Sequence, residues 1–120
     1  MGLTHVTVRL TATASPNGAY EADFLFDTAA TDSLAPASQL RGIGVQPVGS
    51  TVYELADGSM HEYPFGLVQI EFMGEVTAGR VIFGPENAEP ILGVTALDSV
   101  GITIDPANRT LKRLPAIPLK

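Results

Sequence analysis

Apolar residues recur at every second position along much of this chain, which is the spacing expected of β-strands. The alternation over residues 4–14 predicts a first half-buried strand, and Tyr20 to Phe26 predicts a second strand that ends at Asp27. Ser15-Pro16-Asn17-Gly18 separates the two strands, and its Asn-Gly pair suits the positive φ angles of a hairpin turn. The chain is therefore expected to open with a β-hairpin.

The middle of the chain predicts a second hairpin with a longer return strand. Val52 to Ala56 has the pattern of a strand, and Asp57-Gly58 is a strong hairpin-turn dipeptide. The return strand is predicted over Ser59 to Phe72, where Pro64 and Gly66 are expected to mark a bulge or a bend.

The C-terminal half predicts further short strands. Met73-Gly74-Glu75 is expected to turn the chain into a strand over Val76 to Phe83, and Gly84 to Pro90 to form an acidic loop. Ile91-Leu92-Gly93 predicts a short apolar strand, and a last hairpin is predicted from Ile102 to Leu114.

Two segments predict short helices. Ser33 to Arg41 is predicted as a helix with Pro36 in its first turn and Gly42 as its stop. Val94 to Val100 is predicted as a helix of about two turns that ends at a glycine. Many short strands with little helix indicate a mostly β barrel or sandwich, and residues 1–120 are expected to form a single domain.

Composition narrows the classes of partner and of chemistry. The formal net charge is −6 and no basic cluster exists, which argues against a nucleic-acid or anionic-membrane partner. The chain has no cysteine, so disulfides, thiol catalysis and thiolate metal sites are excluded. No apolar stretch approaches the roughly 20 residues that span a bilayer, and no signal peptide is apparent, so a cytoplasmic location is expected.

The chemically most informative stretch is Phe24 to Asp32, where an apolar strand runs directly into a carboxylate. Burying a carboxylate is costly unless it is hydrogen-bonded or its pKa shifts, so Asp27 at this position needs a physical reason. One reason is structural, because aspartate often closes a strand by forming a turn. The other is catalytic, because enzymes place acids where the surroundings perturb their pKa. The local pattern leaves both interpretations open.

Three motifs occur here in the order in which retroviral-type aspartic proteases have them. Phe26-Asp27-Thr28-Ala29-Ala30 ends an apolar strand, Asp57-Gly58 tips a mid-chain hairpin, and Ile91-Leu92-Gly93 precedes a short helix. Over residues 4–114 the chain resembles a single-lobe retropepsin-like domain of the cellular, prokaryotic kind. The resemblance implies a closed β-barrel of the acid-protease type, with one lobe per chain and one or two short helices.

The resemblance also implies a role for each residue of the site. Asp27 would be the catalytic acid, and Thr28 and Ala29 would support the active-site loop, although Thr28 could be an ordinary turn hydroxyl. A flap hairpin would close over an extended peptide and exclude water. The implied substrate-binding residues are Ala30, Thr31, Asp32, Asp57, Gly58 and Ser59. Asp32 has an alternative role, the capping of the helix predicted over residues 33–41, and the hairpin could be a plain surface hairpin.

Hydrolysis of a peptide by carboxylates implies a dimer. One carboxylate activates water while a second, protonated carboxyl group assists the carbonyl, and two such groups about 3 Å apart share a proton. The chain has one Asp-Thr motif of this kind, so a symmetric homodimer would have to place Asp27 and its copy on the two-fold axis. The reaction implies no cofactor and no metal.

The family usually has glycine where this chain has Ala29. Glycine permits backbone conformations and close approaches that a Cβ atom obstructs, so alanine could reduce or abolish turnover. Two further hypotheses therefore accompany the homodimeric endopeptidase. One is a dimeric peptide-binding or scaffold module without catalysis, and the other is a monomeric β-domain in which Asp27 is only a turn acid.

Other chemistries have less support in the sequence. His5 and His61 lie on separate predicted strands, and no motif supplies further metal ligands. The serines lack the Gly-x-Ser-x-Gly setting of many serine hydrolases. The expected partners are a peptide or protein substrate and a second copy of the chain.

Overall fold

The computed structural model describes residues 4–14 and 18–119, which contain nine strands and two short helices. The strands are β1 (His5–Ala12), β2 (Tyr20–Phe26), β3 (Ser33–Pro36), β4 (Gly49–Glu54), β5 (Met60–Phe72), β6 (Glu75–Gly84), β7 (Ile91–Leu92), β8 (Ile102–Asp105) and β9 (Thr110–Arg113). The helices are α1 (Ala37–Gly42) and α2 (Val94–Ser99). Ser15, Pro16 and Asn17 of the predicted first turn lie outside the described residues.

Six of the strands close into a barrel. The strand order β1-β2-β7-β3-β6-β5 returns to β1 through an antiparallel pairing in which Arg9 lies opposite Glu71. β4 extends the sheet beyond β5, and β8 and β9 form a separate two-stranded sheet. The closed, mostly β barrel with two short helices that the sequence predicts is confirmed.

The hydrophobic core fills the barrel and the space beneath the two helices. Val8 and Leu10 of β1 point inward while the alternate residues of that strand point to solvent, as a period of two requires. Each helix presents one apolar face to the barrel, α1 through Leu40 and α2 through Leu97. The largest fully buried side chains are Phe24, Leu10, Leu40, Ile70, Leu92, Leu97 and Ile102.

The segment predicted as one helix over residues 33–41 is a strand followed by a helix. Ser33–Pro36 forms β3, which pairs in parallel with β6, and α1 begins only at Ala37. Proline disfavours the helical conformation in the residue before it, so Ala35 stays extended and the helix starts after Pro36. The prediction was wrong over residues 33–36.

β5 runs without interruption from Met60 to Phe72, and its register with β4 and with β6 is continuous. Of the bulge or bend predicted at Pro64 and Gly66, the bulge is therefore absent. Gly66 instead permits a close approach, because an added Cβ atom would lie 2.6 Å from Cγ1 of Val45 and 2.9 Å from the carbonyl oxygen of Gln46.

The tight turn between β5 and β6 is confirmed. Met73 and Gly74 have φ angles of 53° and 76°, the two positive values of a type I′ hairpin turn. Two-residue turns of this type match the twist of the strands they join, so this turn fixes the register of β5 against β6.

Glu86, in the loop between β6 and β7, binds the start of α1. Its carboxylate accepts a hydrogen bond of 2.9 Å from the backbone amide of Ser38 and a second one from the Ser38 hydroxyl. The hydroxyl first, and then the amide, hold the pKa of Glu86 below its usual value. The loop is thereby attached to the helix through an ionised side chain.

Glu86→Gln is expected to make the Tm of the protein less dependent on pH in the acidic range. Because the pKa of Glu86 is lowered on folding, its contribution is present above the unfolded-state pKa of about 4.3 and is lost as pH falls through the folded-state value. Thermal unfolding measured from neutral pH to about pH 2.5 should show a smaller loss of Tm in Glu86→Gln than in wild type. Glu62→Gln, at an exposed position, is the control for the loss of one negative charge. Equal slopes for wild type and Glu86→Gln would contradict this role.

Candidate active site

Asp27 follows the last residue of β2 and opens a loop of residues 27–32, called here the Asp27 loop, which leads into β3. Its Oδ1 atom accepts a hydrogen bond of 2.9 Å from the backbone amide of Ala29, and its carbonyl oxygen accepts one of 3.2 Å from the amide of Ala30. Phe26 before it is buried, whereas the Asp27 side chain is partly exposed. The turn thus presents the carboxylate at the surface of the barrel.

The Asp27 loop is fixed by the start of α2. The amide of Val94 donates to the carbonyl oxygen of Ala30 over 2.8 Å. The amide and the hydroxyl of Thr95 both donate to the carbonyl oxygen of Thr31, over 3.2 and 2.9 Å. Three hydrogen bonds therefore hold the backbone of two consecutive loop residues.

Gly93 brings these two segments into direct backbone contact. A Cβ atom at this position would lie 2.5 Å from the carbonyl carbon of Asp32 and 2.5 Å from the carbonyl oxygen of Thr31. The amide of Gly93 also donates to the hydroxyl oxygen of Ser33 over 3.0 Å, and Ser33 is buried. The glycine of the Ile91-Leu92-Gly93 motif therefore helps to fix the position of the Asp27 loop.

The hairpin of β4 and β5 ends in the turn predicted at Asp57-Gly58. The amide and the hydroxyl of Ser59 donate to Oδ1 of Asp57 over 2.9 and 2.6 Å, and Gly58 has a φ of 88°. These hydrogen bonds, the hydroxyl first, hold the pKa of Asp57 below its usual value. The three hairpin residues predicted to bind substrate are thus held together as one turn.

Asp32 connects the Asp27 loop to this hairpin. Its Oδ2 atom accepts a hydrogen bond of 2.7 Å from the hydroxyl of Tyr53 on β4. The alternative role of Asp32 as a helix cap is wrong, because α1 begins at Ala37, has Pro36 at its N-cap and receives no side-chain cap.

Sequence reasoning missed Tyr53, Ser33 and Thr95 as residues of the site. Tyr53 carries only the general signal of a strand residue, since it lies in the strand predicted over Val52 to Ala56. Ser33 and Thr95 have no comparable signal, because their roles depend on a contact between segments about 60 residues apart.

Ala29 fits its backbone position without strain. Among the described residues, Met73 and Arg109 are the non-glycine residues with positive φ. Ala29 therefore does not occupy the left-handed region that would demand glycine. Its side chain is exposed, so the methyl group meets no obstacle within the protomer.

Two cavities flank the Asp27 loop. One, of about 280 Å³, is lined by Asp27, Thr28, Leu25, Ile104, Pro106 and Arg109 among others. The other, of about 240 Å³, is lined by Asp32, Ile70, Arg80, Thr95 and Ala96 among others. Both are open to solvent beside the carboxylates, so a bound chain could reach either of them.

Residues 4–14 and 18–119 contain neither a candidate metal site nor a membrane-spanning helix. No group of three histidine, aspartate or glutamate side chains is placed to hold a metal ion there. His5 instead contacts Glu89, and His61 lies beside Tyr63 with ring centroids 6.2 Å apart. In the same residues no helix is long and apolar enough to cross a membrane.

Solved structures similar to this chain include two viral proteases and one protease-like domain. EIAV protease, complexed with the inhibitor HBY-793, has a TM-score of 0.61 at 19% identity, covering 87% of this chain and 93% of its own. Simian foamy virus (mac) protease has a TM-score of 0.55 at 13% identity, covering 78% and 91%. The retroviral protease-like domain of Ddi1 from Leishmania major has a TM-score of 0.55 at 17% identity, covering 96% and 92%.

No protein family and no curated protein gives a match to the sequence. The structural similarity covers most of the length of each chain, and at these identities it establishes the fold. The prokaryotic branch of the family stays a prediction. The chain has the single-lobe, retropepsin-like fold that its sequence motifs predict.

Proposed function

We propose that this chain is an aspartic endopeptidase that acts as a symmetric homodimer. The observation that carries the proposal is the Asp27 loop. A partly exposed carboxylate sits on a turn whose backbone is hydrogen-bonded to Val94 and Thr95, within a retropepsin-like fold. Rigid attachment matters because a catalytic group must be held within a fraction of an ångström of its reacting geometry.

One protomer supplies half of the chemistry. Asp27 of one protomer and its copy in the partner would form a pair that shares one proton. The ionised carboxyl group would take a proton from water as the water oxygen bonds to the carbonyl carbon, and the protonated one would donate to the carbonyl oxygen of the scissile peptide bond. The C–N bond would then break as the pair returns a proton to the leaving amine. The amide of Ala29 already binds Oδ1 of Asp27, so this hydrogen bond would orient the carboxylate plane, and Thr28 would brace the same turn.

The substrate would be an extended segment of a peptide or protein. It would lie between the Asp27 loop and the β4–β5 hairpin, which would act as the flap and pair with its backbone as a neighbouring strand does. The residues proposed to contact it are Ala30, Thr31, Asp32, Asp57, Gly58 and Ser59. A cytoplasmic location is part of the proposal, and near-neutral pH would there restrict a shared-proton pair to slow or selective cleavage.

A dimeric peptide-binding module is the second candidate function. Ala29 favours it, because its side chain is exposed two residues after Asp27, where a partner loop or a substrate could come close to it. The fit of alanine within the protomer removes backbone strain as an objection to catalysis. In a dimer, the Ala29 methyl group could still obstruct the partner's loop or the substrate. A measurement of activity decides whether it does.

The test is cleavage of a broad peptide library from about pH 3.5 to 7.5, the range that brackets a shared-proton carboxyl pair. Wild type is expected to cleave best on the acidic side. Asp27→Asn should reduce the rate by about 10³-fold or more, because it removes the general base and the shared proton. Sedimentation at the assay concentration should show a dimer for both proteins.

Asp98→Asn is the matched control, since Asp98 is exposed on α2 and its side chain takes no part in the hydrogen bonds that hold the Asp27 loop, and it should retain wild-type activity. Cleavage by Asp27→Asn at the wild-type rate would rule out this mechanism. A confirmed wild-type dimer that binds peptides without cleaving them would favour the binding module, and Ala29→Gly would then be the variant in which to seek activity.

A further inference from the structure

Tyr53 links the β4–β5 hairpin to the Asp27 loop by a side-chain hydrogen bond. Its hydroxyl donates to Oδ2 of Asp32 over 2.7 Å in a partly buried position. β4 is an edge strand whose only paired neighbour among the described strands is β5. The hairpin therefore extends from the barrel, and the Tyr53 side chain connects it to the Asp27 loop.

A second side chain supports the base of the hairpin on the same face. Arg80 of β6 donates from Nη1 to the hydroxyl of Thr51 over 3.0 Å, and its guanidinium lies 4.0 Å from the centroid of the Phe65 ring. Thr51 and Tyr53 are two residues apart and so project from one face of β4. Arg80 and Asp32, which bind Thr51 and Tyr53, both line the 240 Å³ cavity.

The tip of the hairpin has a different kind of support. Asp57 and Ser59 bind one another, and these bonds stay within the turn. Within the described part of the chain, the side-chain hydrogen bonds that join the hairpin to the rest of the protein are those of Tyr53 and Thr51. The bond at Tyr53 is the nearer of the two to the tip.

The acceptor of the Tyr53 bond is held rigidly. Gly93 packs against the carbonyl group of Asp32, and the next residue, Ser33, receives the Gly93 amide. Burial, followed by the hydrogen bond to Asp32 and its charge, raises the pKa of Tyr53, so the phenol keeps its proton at neutral pH. One end of the link lies on a loop whose backbone is hydrogen-bonded to α2, and the other end lies on the hairpin.

We propose that Tyr53 is a positioning residue that sets the height of the hairpin above Asp27 through its hydrogen bond to Asp32. The inference rests on the proposed function, because the hairpin matters for activity only if substrate binds beneath it. A substrate would bind the closed arrangement, so its apparent Kd would equal the intrinsic Kd divided by the fraction of molecules already closed. Loss of the hydrogen bond would lower that fraction without touching the reacting atoms.

The first test follows the hairpin itself and needs no catalysis. Amide hydrogen exchange in Tyr53→Phe should be faster than in wild type by about tenfold across β4, the factor that corresponds to about 1.4 kcal/mol. Exchange in β1 and β2 should be unchanged. Tyr63→Phe is the matched control, since the Tyr63 ring lies 6.4 Å from that of Tyr53 and its hydroxyl has no hydrogen-bond partner among the described residues. Wild-type exchange across β4 in Tyr53→Phe would overturn the proposal.

The acceptor provides a further check. Asp32→Asn keeps a carbonyl oxygen that can accept the Tyr53 hydrogen bond, whereas Asp32→Ala removes the acceptor. Asp32→Asn should therefore protect β4 better than Asp32→Ala. Adding Tyr53→Phe to Asp32→Ala should cause little further loss, because the bond is already gone. Additive effects of the two substitutions would contradict a direct link between them.

The second test uses peptide cleavage. Tyr53→Phe should raise KM, by at most about tenfold, and change kcat by less than about twofold, because the bound substrate itself holds the hairpin closed. A fall in kcat at constant KM would overturn the positioning role. If wild type cleaves nothing, the proposed function fails while hydrogen exchange still decides the role of Tyr53. If wild type cleaves and KM does not change, the inference about Tyr53 fails alone.

Discussion

Gly93→Ala is expected to destabilise the protein by about 3 kcal/mol, the upper part of the range for overpacking a tightly packed site. For a domain of this size that corresponds to a fall in Tm of about 10 °C. The added Cβ atom would lie 2.5 Å from the carbonyl carbon of Asp32 and from the carbonyl oxygen of Thr31. These are backbone atoms, so no side chain can rotate away to make room.

The same substitution should displace the Asp27 loop. The amides of Val94 and Thr95 bind the carbonyl oxygens of Ala30 and Thr31, so a shift at Gly93 is transmitted to the loop. Urea and thermal denaturation would measure the loss of stability, and peptide cleavage would measure the displacement.

Gly79→Ala is the control for Gly93→Ala, because Gly79 lies in β6 and Gly93, the N-cap of α2, likewise has an extended backbone. An added Cβ atom at Gly79 meets nothing within 4 Å. Gly79→Ala should change stability by about 1 kcal/mol or less in either direction. Equal stability of the two alanine variants would show that the contact at Gly93 is not as close as the structure has it.

Adding an excess of Asp27→Asn protomers to wild type is expected to suppress activity in proportion to the excess. If two Asp27 carboxyl groups form one site, a mixed dimer has a single one and cannot share a proton between two. With random pairing and a tenfold excess of the variant, about one wild-type protomer in eleven finds a wild-type partner. Activity per wild-type protomer should therefore fall by about tenfold.

The mixing experiment requires that the chains be refolded together so that the partners exchange. A tenfold excess of Asp98→Asn protomers, in place of Asp27→Asn, should raise the total activity because those protomers are themselves competent. Activity that stays constant when Asp27→Asn is added would mean that each chain works alone. That outcome would exclude the shared dyad even if Asp27→Asn by itself is inactive.

The strands and turns of this fold were accessible from the sequence because their signals are local. A period of two marks β1 and β2, and the Gly-containing dipeptides at Asp57-Gly58 and Met73-Gly74 lie where the hairpins turn. Asp27 was accessible for the same reason, since it directly follows an apolar strand.

The parts that could not be predicted depend on contacts between distant segments. β3 has four residues and is stabilised by parallel pairing with β6, so its local pattern did not separate it from the helix that follows. Pro36 did carry a usable signal, because it biases Ala35 toward an extended conformation. The hydrogen bond from Tyr53 to Asp32 and the contact at Gly93 arise only when the barrel has closed.

Closure of the barrel between β1 and β5 has a consequence for how the chain folds. Arg9 faces Glu71 across that seam, and the parallel pairs of β2 with β7 and β3 with β6 also join distant segments. The β5–β6 hairpin can form within about 10 μs, whereas barrels dominated by such distant pairings fold in roughly milliseconds to seconds. During that interval the edges of β1 and β5 are unpaired. A newly made chain is then most exposed to aggregation through strand addition, before its two edges have found each other.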